Sequence, residues 1–350
     1  MKDVLVSIII VNYNGLSHLK KCIPSLVKTE KVDFEIIVVD NGSDDESVLW
    51  LNENCGLDQR YKLNQNCGDN ENINSNKNLK SIRVVEAKAN LGFGRANELG
   101  VKVSNGDMIA FLNNDTQVDP DWLINMVNLM AQNPKITAAC STLMLMEYPH
   151  ILNALGGGMS KLGYGFDHFF GFTKDHPSVL PILTQESVPV LFPTAAAMLI
   201  SKKDFWNVGG FDKAIFMYHE DVDLGWRIWL FGGEVHLCPK SIVYHCFGGT
   251  TSVVHGSGWR DRLGMRHNVR TILKCYRKKN VINILKQHIN IWRARKAWSE
   301  MSHVLWWNLL RLPDTILERI KIQRSRTISD EELIANGLIT DSDFPRISPH

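Results

Sequence analysis

The hydrophobic pattern of the first 120 residues is a series of short, mainly apolar runs, each followed by a polar turn. Such runs cover residues 4–11, 34–39 and 108–112. Apolar runs without strict alternation are typical of strands buried on both faces, as in a parallel sheet. Between the first two runs, apolar residues recur at helical spacing from Leu16 to Lys28. A strand, a helix and a second strand in this order predict a right-handed βαβ unit.

Past Pro134 the pattern loosens and the predicted elements become shorter. The cluster of glycines between residues 156 and 165 predicts a mobile loop. Strands are expected at 136–140, at 188–201 as strand, turn and strand, at 235–239 and at 242–245. The whole pattern predicts an α/β protein with a mostly parallel central sheet flanked by helices.

Changes in composition divide the chain into a core domain, residues 1–257, and an extension, residues 258–350. Within the core domain, residues 52–80 are rich in Asn and lack any period, which predicts a flexible insertion. The extension is basic and predicted to be helical, with Trp interleaved among Arg and Lys, and its polar end from Ile328 is expected to be loosely ordered. Basic helices with Trp on the apolar side suit a membrane surface. Packing of these helices on the core domain, with solvated basic faces, is the alternative.

The bulk composition narrows the class of protein. The 350 residues are 44% hydrophobic and 22% charged, as in a soluble globular chain. The formal charge of +2 gives no argument for a nucleic-acid partner. Seven cysteines without a CxxC pair favour a reducing compartment. The chain enters a strand at once, and its longest uncharged window is too short for a spanning helix, so neither a signal peptide nor a transmembrane segment is predicted.

Two amides and a carboxylate, Asn113, Asn114 and Asp115, directly follow the central apolar run. Open α/β sheets bind their ligands at the carboxyl ends of their strands. Carboxylate and amide oxygens, completed by phosphate oxygens of a substrate, suit Mg²⁺ or Mn²⁺. An ordinary turn is the alternative. The next helix is expected to begin at Pro120, with Asp119 as its N-cap.

A glycine-rich turn at residues 90–97 opens a predicted helix. Backbone N–H groups at a helix N-terminus can bind a pyrophosphate. The spacing differs from the dinucleotide-binding fingerprint, and a plain turn is an equal alternative.

A second polar segment places Glu220, Asp221 and Asp223 beside His219. Asp221 or Asp223 could cap the following helix, but capping explains only one of three acids. Because clustered like charges are costly, one of these carboxylates is a candidate general base. His245, at the end of a predicted strand, is a candidate ligand to the same metal as Asp115, or a hydrogen-bonded core histidine.

Six segments, in this order, together resemble the inverting glycosyltransferases of family 2, which have the GT-A fold, and in particular their rhamnosyltransferase-like branch. The resemblance extends from residue 4 to about residue 275. The segments are VSIIIVNYNG (6–15), FEIIVVDNGSDD (34–45), NLGFGRAN (90–97), FLNNDT (111–116), GGFD (209–212) and YHEDVDLGWR (218–227).

This resemblance implies a Rossmann-like catalytic domain that binds a nucleotide-sugar donor (a dTDP-, UDP- or GDP-sugar), a divalent cation and a glycan or lipid-linked glycan acceptor. It implies transfer of a sugar, with rhamnose as a candidate, by a single inverting displacement. With the composition, it predicts a cytoplasmic protein that sits peripherally on the inner face of the cell membrane and contacts it through the C-terminal helices.

The resemblance also assigns roles to individual residues. Asp221 would be the catalytic base, with Glu220 beside it, and Asp115 would bind the metal, with His245 completing the site. The implied donor-binding residues are Asn12 and Asp40 for the nucleoside, Asn90, Gly92 and Arg95 along the nucleotide side, and Asn113 and Asn114 beside the metal.

Two departures from the family pattern qualify these assignments. Asn113 stands where the DXD motif has its first Asp, which removes one charge from the metal site. Residues 193–198 lack the glycine that many relatives carry, which leaves the donor sugar open. Two alternatives remain. One is a sugar nucleotidyltransferase, which would want a glycine-rich basic loop where Asn12–Gly15 stands; the other is a non-catalytic scaffold on a decayed transferase fold.

Overall fold

The computed structural model describes residues 4–55, 76–246 and 257–341. The described strands are β1 (Leu5–Asn12), β2 (Asp33–Asp40), β3 (Leu79–Glu86), β4 (Met108–Asn113), β5 (Thr116–Val118), β6 (Ile136–Leu145), β7 (Leu152–Ala154), β8 (Gly157–Ser160), β9 (Gly165–Asp167), β10 (Val188–Pro189), β11 (Ala197–Ser201), β12 (Glu234–His245) and β13 (Ile339–Thr340).

The helices lie on both sides of the sheet and at the C-terminal end of the chain. They are α1 (Leu16–Val27), α2 (Ser47–Cys55), α3 (Phe93–Val103), α4 (Trp122–Gln132), α5 (Leu180–Leu183), α6 (Lys202–Asn207), α7 (Glu220–Leu230), α8 (Ser257–Cys275), α9 (Lys278–Ala294), α10 (Trp298–Leu310), α11 (Leu312–Ser325) and α12 (Asp330–Ala335).

A large mixed sheet carries the fold, and its central strands run in the order β3, β2, β1, β4, β11, β6 and β12. The first four are parallel, β11 is antiparallel to both β4 and β6, and β12 is parallel to β6. Asn12 lies opposite Asp40, and Asn113 lies opposite Val11. The polar residues that end β1, β2 and β4 therefore share one edge of the sheet. The predicted α/β fold with a mostly parallel central sheet is confirmed.

Alternate residues of β1 enter two different hydrophobic clusters, one on each face of the sheet. Ile9 packs with Phe111 in one cluster, and Ile8 and Ile10 belong to the other. All are fully buried. The uninterrupted apolar runs therefore reflect double burial, as expected for parallel strands covered by helices.

The glycine-rich stretch after residue 155 is a hairpin, so the predicted mobile loop is wrong. Strands β8 and β9 pair from Gly157–Asp167 to Met159–Gly165, and Gly157 also bridges to Phe192. The glycines admit close packing here, and the sequence pattern does not distinguish that use from mobility.

Three further predictions need correction. The two short strands expected at 235–239 and 242–245 are one strand, β12, with an irregularity between Cys238 and Ile242. Helix α4 begins at Trp122 rather than Pro120, because the Asp119 carboxylate accepts a hydrogen bond from Tyr244 instead of capping the helix. The described part of the segment from Ile328, up to residue 341, is not loosely ordered: Ser329 and Glu332 form a capping box at α12, and β13 pairs with β8.

The C-terminal helices pack directly on the sheet-bearing part of the chain. Arg270 and Lys274 of α8 are buried against Asp212 and Asp223, and α10 and α11 pack on α8. None of the helices in the described ranges is long and apolar enough to cross a bilayer. Of the predicted insertion at 52–80, the first residues end α2, the last begin β3, and residues 56–75 lie outside the described residues.

Candidate active site

A hydrogen-bonded polar cluster joins the ends of β1, β2 and β4. The amide of Asn12 donates to Asp40 Oδ1 at 3.2 Å, and its oxygen accepts from Asn114 Nδ2 at 2.8 Å. Asp40 in turn accepts from the hydroxyl and the backbone N–H of Ser43, at 2.6 and 3.0 Å. Asn12, Asp40 and Asn114 are buried. Three residues predicted to bind the donor therefore form one rigid unit.

Gly15 makes this contact possible. A Cβ at Gly15 would lie 2.2 Å from Asn114 Nδ2 and 2.5 Å from Asn12 Oδ1. Any larger residue would separate the two amides, which explains a glycine in the turn after β1.

The turn before α3 is tied to the end of β2. Asn41 Nδ2 donates to Asn90 Oδ1 at 3.0 Å, and Asn90 Oδ1 also accepts from the N–H of Gly92. Gly92 has φ +80° and lies against the Phe216 carbonyl, so it needs glycine. Arg95 is exposed and donates through Nε to the Lys213 carbonyl at 3.0 Å. Asn90 and Gly92 thus adjoin the Asp40 end of the sheet, whereas Arg95 contacts the 211–219 segment.

Asp115 and His245 meet where β4 and β12 end. His245 Nε2 lies 3.3 Å from Asp115 Oδ1 and 3.4 Å from the amide nitrogen of Asn113. On its other side, His245 Nδ1 is 2.6 Å from the Oδ1 of buried Asn153. Because a carbonyl oxygen only accepts, Nδ1 carries a proton, and in the neutral ring the lone pair is therefore on Nε2, the nitrogen that faces Asp115.

These residues fit a divalent cation. Asp115 Oδ1 is buried and has no hydrogen-bond partner among the residues the structure describes, even though His245 is close. A carboxylate oxygen and an imidazole nitrogen with its lone pair exposed are ligands suited to Mn²⁺. The described ranges hold no group of three His, Cys, Asp or Glu residues that could bind a metal. Remaining ligands would come from phosphate oxygens, as is usual for Mg²⁺ at nucleotide sites.

Helix α7 starts from a strained backbone. Tyr218 and His219 have φ values of 66° and 79°, and His219 is the N-cap residue, without a side-chain capping bond. The predicted capping role of Asp221 or Asp223 is therefore wrong, since both lie inside the first turn. Consecutive left-handed residues other than glycine are costly and concentrate at functional sites.

Glu220 and Asp221 are neighbouring acids at this turn. Burial, followed by the charge of Asp221, raises the pKa of Glu220 to about 8. Burial raises the pKa of Asp221 to about 6, although the backbone N–H groups of Val222 and Ala195 stabilise its carboxylate. Asp221 is partly exposed, whereas Glu220 Oε2 is buried without a hydrogen-bond partner among the described residues. Of these two acids, Asp221 is the one that combines accessibility with a pKa near neutrality, which suits a general base.

Asp167, on β9, is a site residue that the sequence did not reveal. Burial, then the charge of Asp221, raises its pKa to about 7, while His245 and Arg260 act in the opposite direction. Asp167 therefore lies close enough to the candidate base Asp221 and the candidate metal ligand His245 for both to shift its pKa. Its position depends on the β8–β9 hairpin, which the glycine pattern did not predict.

Asp223, the third acid of the segment, has a structural role. It is fully buried and pairs with Arg227 at 2.7 Å and with Lys274 at 2.5 Å. Lys274 also pairs with Asp212, which Arg270 contacts at 2.7 Å. These opposite charges hold the pKa of Asp212 well below its usual range. The cluster fixes the start of α7, and hence Asp221, against α8.

Part of the chain matches a known protein family. Residues 7–144 match the family model for glycosyl transferase family 2. The matched region contains Asn12, Asp40 and Asp115 and ends before Asp221 and His245. N-acetylgalactosaminyltransferase 6 of Drosophila melanogaster is 26% identical over 250 residues, which cover 70% of this chain and 34% of that protein. The chain thus spans about a third of the length of this curated relative.

Solved structures show the same fold. GalNAc-T7 with UDP, GalNAc and Mn²⁺ superposes with a TM-score of 0.58 at 15% identity, covering 80% of this chain and 49% of that one. The mannosyltransferase PcManGT from Pyrobaculum calidifontis, with GDP-Man and Mn²⁺, gives a TM-score of 0.51 over 95% and 79% of the two chains at 14% identity. The predicted GT-A fold is confirmed, and the rhamnosyltransferase-like branch stays a prediction.

Proposed function

We propose that this chain is an inverting glycosyltransferase that moves a sugar from a nucleoside-diphosphate donor to a hydroxyl group of a glycan or lipid-linked glycan. The observation that carries the proposal is the pairing of Asp115 and His245 at the same sheet edge as the Asn12–Asp40 cluster. The family 2 match over 7–144 supports it, as do two solved structures with this fold, one with UDP and Mn²⁺ and one with GDP-Man and Mn²⁺.

The donor would lie along the edge formed by β1, β2 and β4. Asp40 and Asn12 would hold the nucleoside, with Asn90, Gly92 and Arg95 along the nucleotide and Asn113 and Asn114 beside the diphosphate. Asp115 and His245 would hold a divalent cation, which would neutralise charge on the departing diphosphate. Asn153 would keep the His245 ring in the metal-binding tautomer through Nδ1. Rhamnose remains a candidate sugar, alongside other hexoses and deoxyhexoses.

Asp221 would act as the base. Its carboxylate takes the proton of the acceptor hydroxyl as that oxygen attacks the anomeric carbon. The bond from that carbon to the diphosphate oxygen breaks, and the nucleoside diphosphate leaves with the electron pair. A single displacement inverts the anomeric configuration, without the nucleophilic carboxylate of retaining enzymes. Glu220, whose pKa burial raises to about 8, stays protonated beside the base near neutral pH.

The test is Asp221→Asn, with Asp107→Asn at the opposite, exposed end of β4 as the matched control. Loss of the base should lower transfer by about 100-fold or more while donor binding persists. Calorimetry gives the donor affinity, and product release from a panel of donors gives the rate. The wild-type rate should also rise with pH through about 6, where Asp221 ionises. Equal loss of binding and transfer, or no loss of transfer, would reject Asp221 as the base.

The scaffold alternative gains no support from these contacts. A decayed transferase has no need of a strained turn that presents Asp221, or of a buried Asp115 oxygen that lacks a hydrogen-bond partner within the described ranges. Retention of both favours catalysis.

A further inference from the structure

Helices α10 and α11 expose an unusual amount of apolar side chain. Of the sixteen large hydrophobic residues exposed in the described part of the chain, nine lie between residues 298 and 320. Trp306 is 62% exposed, Leu309 57% and Leu317 60%. The nine are Trp298, Leu305, Trp306, Leu309, Leu310, Leu312, Ile316, Leu317 and Ile320. Soluble proteins rarely concentrate apolar surface in this way unless it contacts a partner or a membrane.

These residues occupy the outer side of each helix. The inner side of α10, with Val304 and Trp307, and that of α11, with Thr315 and Ile322, is buried, and both helices pack on α8. A shallow groove of about 750 Å³ runs along the outer side of α10 beside Leu305, Trp306 and Leu309. We call the nine exposed residues the outer apolar face.

The neighbouring helix α9 shows that this face is specific to α10 and α11. Although α9 is also basic, its exposed side is polar, and Ile282 is its one strongly exposed large apolar residue. The sequence predicted membrane contact for the C-terminal helices as a group; the structure separates an ordinary solvated helix from two that present apolar side chains.

Basic residues border the outer apolar face at both ends. Exposed Arg295 and Lys296 precede α10, and exposed Lys321 and Arg324 end α11. From residue 293 to 326 the sequence holds eight basic and three acidic residues, in a chain whose formal charge is only +2. Within this segment Lys321 is paired with Glu318 and Arg326 with Asp330, while Asp314 is paired with Arg270 of α8.

We propose that the outer apolar face docks the protein on an anionic lipid bilayer. Apolar and Trp side chains would enter the headgroup boundary while the bordering Arg and Lys contact anionic headgroups, which is how interfacial helices bind. A symmetric dimer through this face would instead bring the basic borders of two copies together, which is unfavourable. Neither Asp221 nor a residue of the candidate metal site belongs to the outer apolar face.

Co-sedimentation of the full chain with vesicles tests the proposal. Binding should be strong to phosphatidylcholine vesicles that contain phosphatidylglycerol and weak to phosphatidylcholine alone. Leu309→Ser with Leu317→Ser should lower the partition coefficient by about tenfold or more, since it removes buried apolar area. The control pair is Leu49→Ser with Leu180→Ser, at residues 57% and 48% exposed elsewhere on the molecule, and it should bind as the wild type does.

A second variant, Lys296→Gln with Arg324→Gln, should weaken binding to the anionic vesicles and flatten its salt dependence. Thermal unfolding and nucleotide-induced stabilisation of each variant establish that folding and the donor site are intact. Equal binding by the wild type and the Leu309–Leu317 variant would overturn the proposal. So would light scattering that shows a dimer, abolished by the same substitutions, with no vesicle binding.

Discussion

At the scale of single residues, the candidate donor site is built from polar side chains at the ends of β1, β2 and β4. Asn12, Asp40, Asn113, Asn114 and Asp115 could be placed from sequence because each follows an apolar run that had to be a strand. Their side chains meet because the strands are parallel and in register.

Asn153 and Asp167 could not be placed in the same way. Asn153 reaches His245 across 92 residues, and Asp167 depends on a hairpin whose glycines resemble those of a loop. Neither residue belongs to a motif that spacing alone would identify.

At this scale, Glu220 gives a prediction about stability. Its pKa is about 8 in the folded chain against an ordinary 4.5, so the unfolded chain releases this proton first as the pH rises. Ionisation of Glu220 therefore leaves the free energy of unfolding unchanged below about pH 4.5 and lowers it progressively as the pH rises to about 8. Glu220→Gln should therefore raise Tm above that of the wild type by roughly a few degrees at pH 8, with the gain fading toward pH 4.5.

The matched control is Glu53→Gln, on the exposed side of α2, which should follow the wild type at every pH. Calorimetric scans from acid to pH 8 provide the measurement. A Tm difference between Glu220→Gln and the wild type that is constant with pH would contradict the buried, protonated state of Glu220.

Among the elements, α7 and α8 are joined by charge as well as by apolar packing. Asp212 and Asp223 come from the core, and Arg270 and Lys274 come from the first C-terminal helix. Sequence patterns predicted both helices but not the connection, because a buried Lys and an exposed Lys look alike in a helical repeat. The structure, and not the sequence, therefore separates the acids in ion pairs, Asp212 and Asp223, from the candidate base, Asp221.

Lys274→Met tests this connection. Without the Lys274 ammonium group, Asp212 and Asp223 stay buried with less positive charge beside them. Loss of a buried ion-pair partner typically lowers the free energy of unfolding by about 3–5 kcal/mol. Lys321→Met breaks an exposed pair with Glu318 and should cost at most about 1 kcal/mol. Urea unfolding of both variants gives the comparison. A Lys274→Met variant as stable as Lys321→Met would show that the ion cluster does not hold α8 in place.

For the whole molecule, the parts of the fold that follow from local periodicity were predicted well. The central strands, α1 and α3 agree with the sequence patterns because double burial and amphipathic spacing leave few alternatives. The tail was not predicted: Leu333 and Leu338 are buried, and β13 joins β8 from the far end of the chain. Such long-range pairing leaves little local signal. The division at residue 257 stays a prediction, although α8 packs closely on the core.

The central claim is that Asp115 and His245 form a metal-dependent nucleotide-sugar site. The most direct measurement is the thermal shift of wild type, Asp115→Ala and the exposed control Asp107→Ala with dTDP-, UDP- and GDP-sugars, each with Mn²⁺, Mg²⁺ or EDTA. A ligand at 100 times its Kd stabilises the native state by about 2.7 kcal/mol. We expect a shift of several degrees with one donor class in the wild type and in Asp107→Ala. It should be lost with EDTA and in Asp115→Ala. No shift with any donor, or a shift unchanged by EDTA and by Asp115→Ala, would contradict the account.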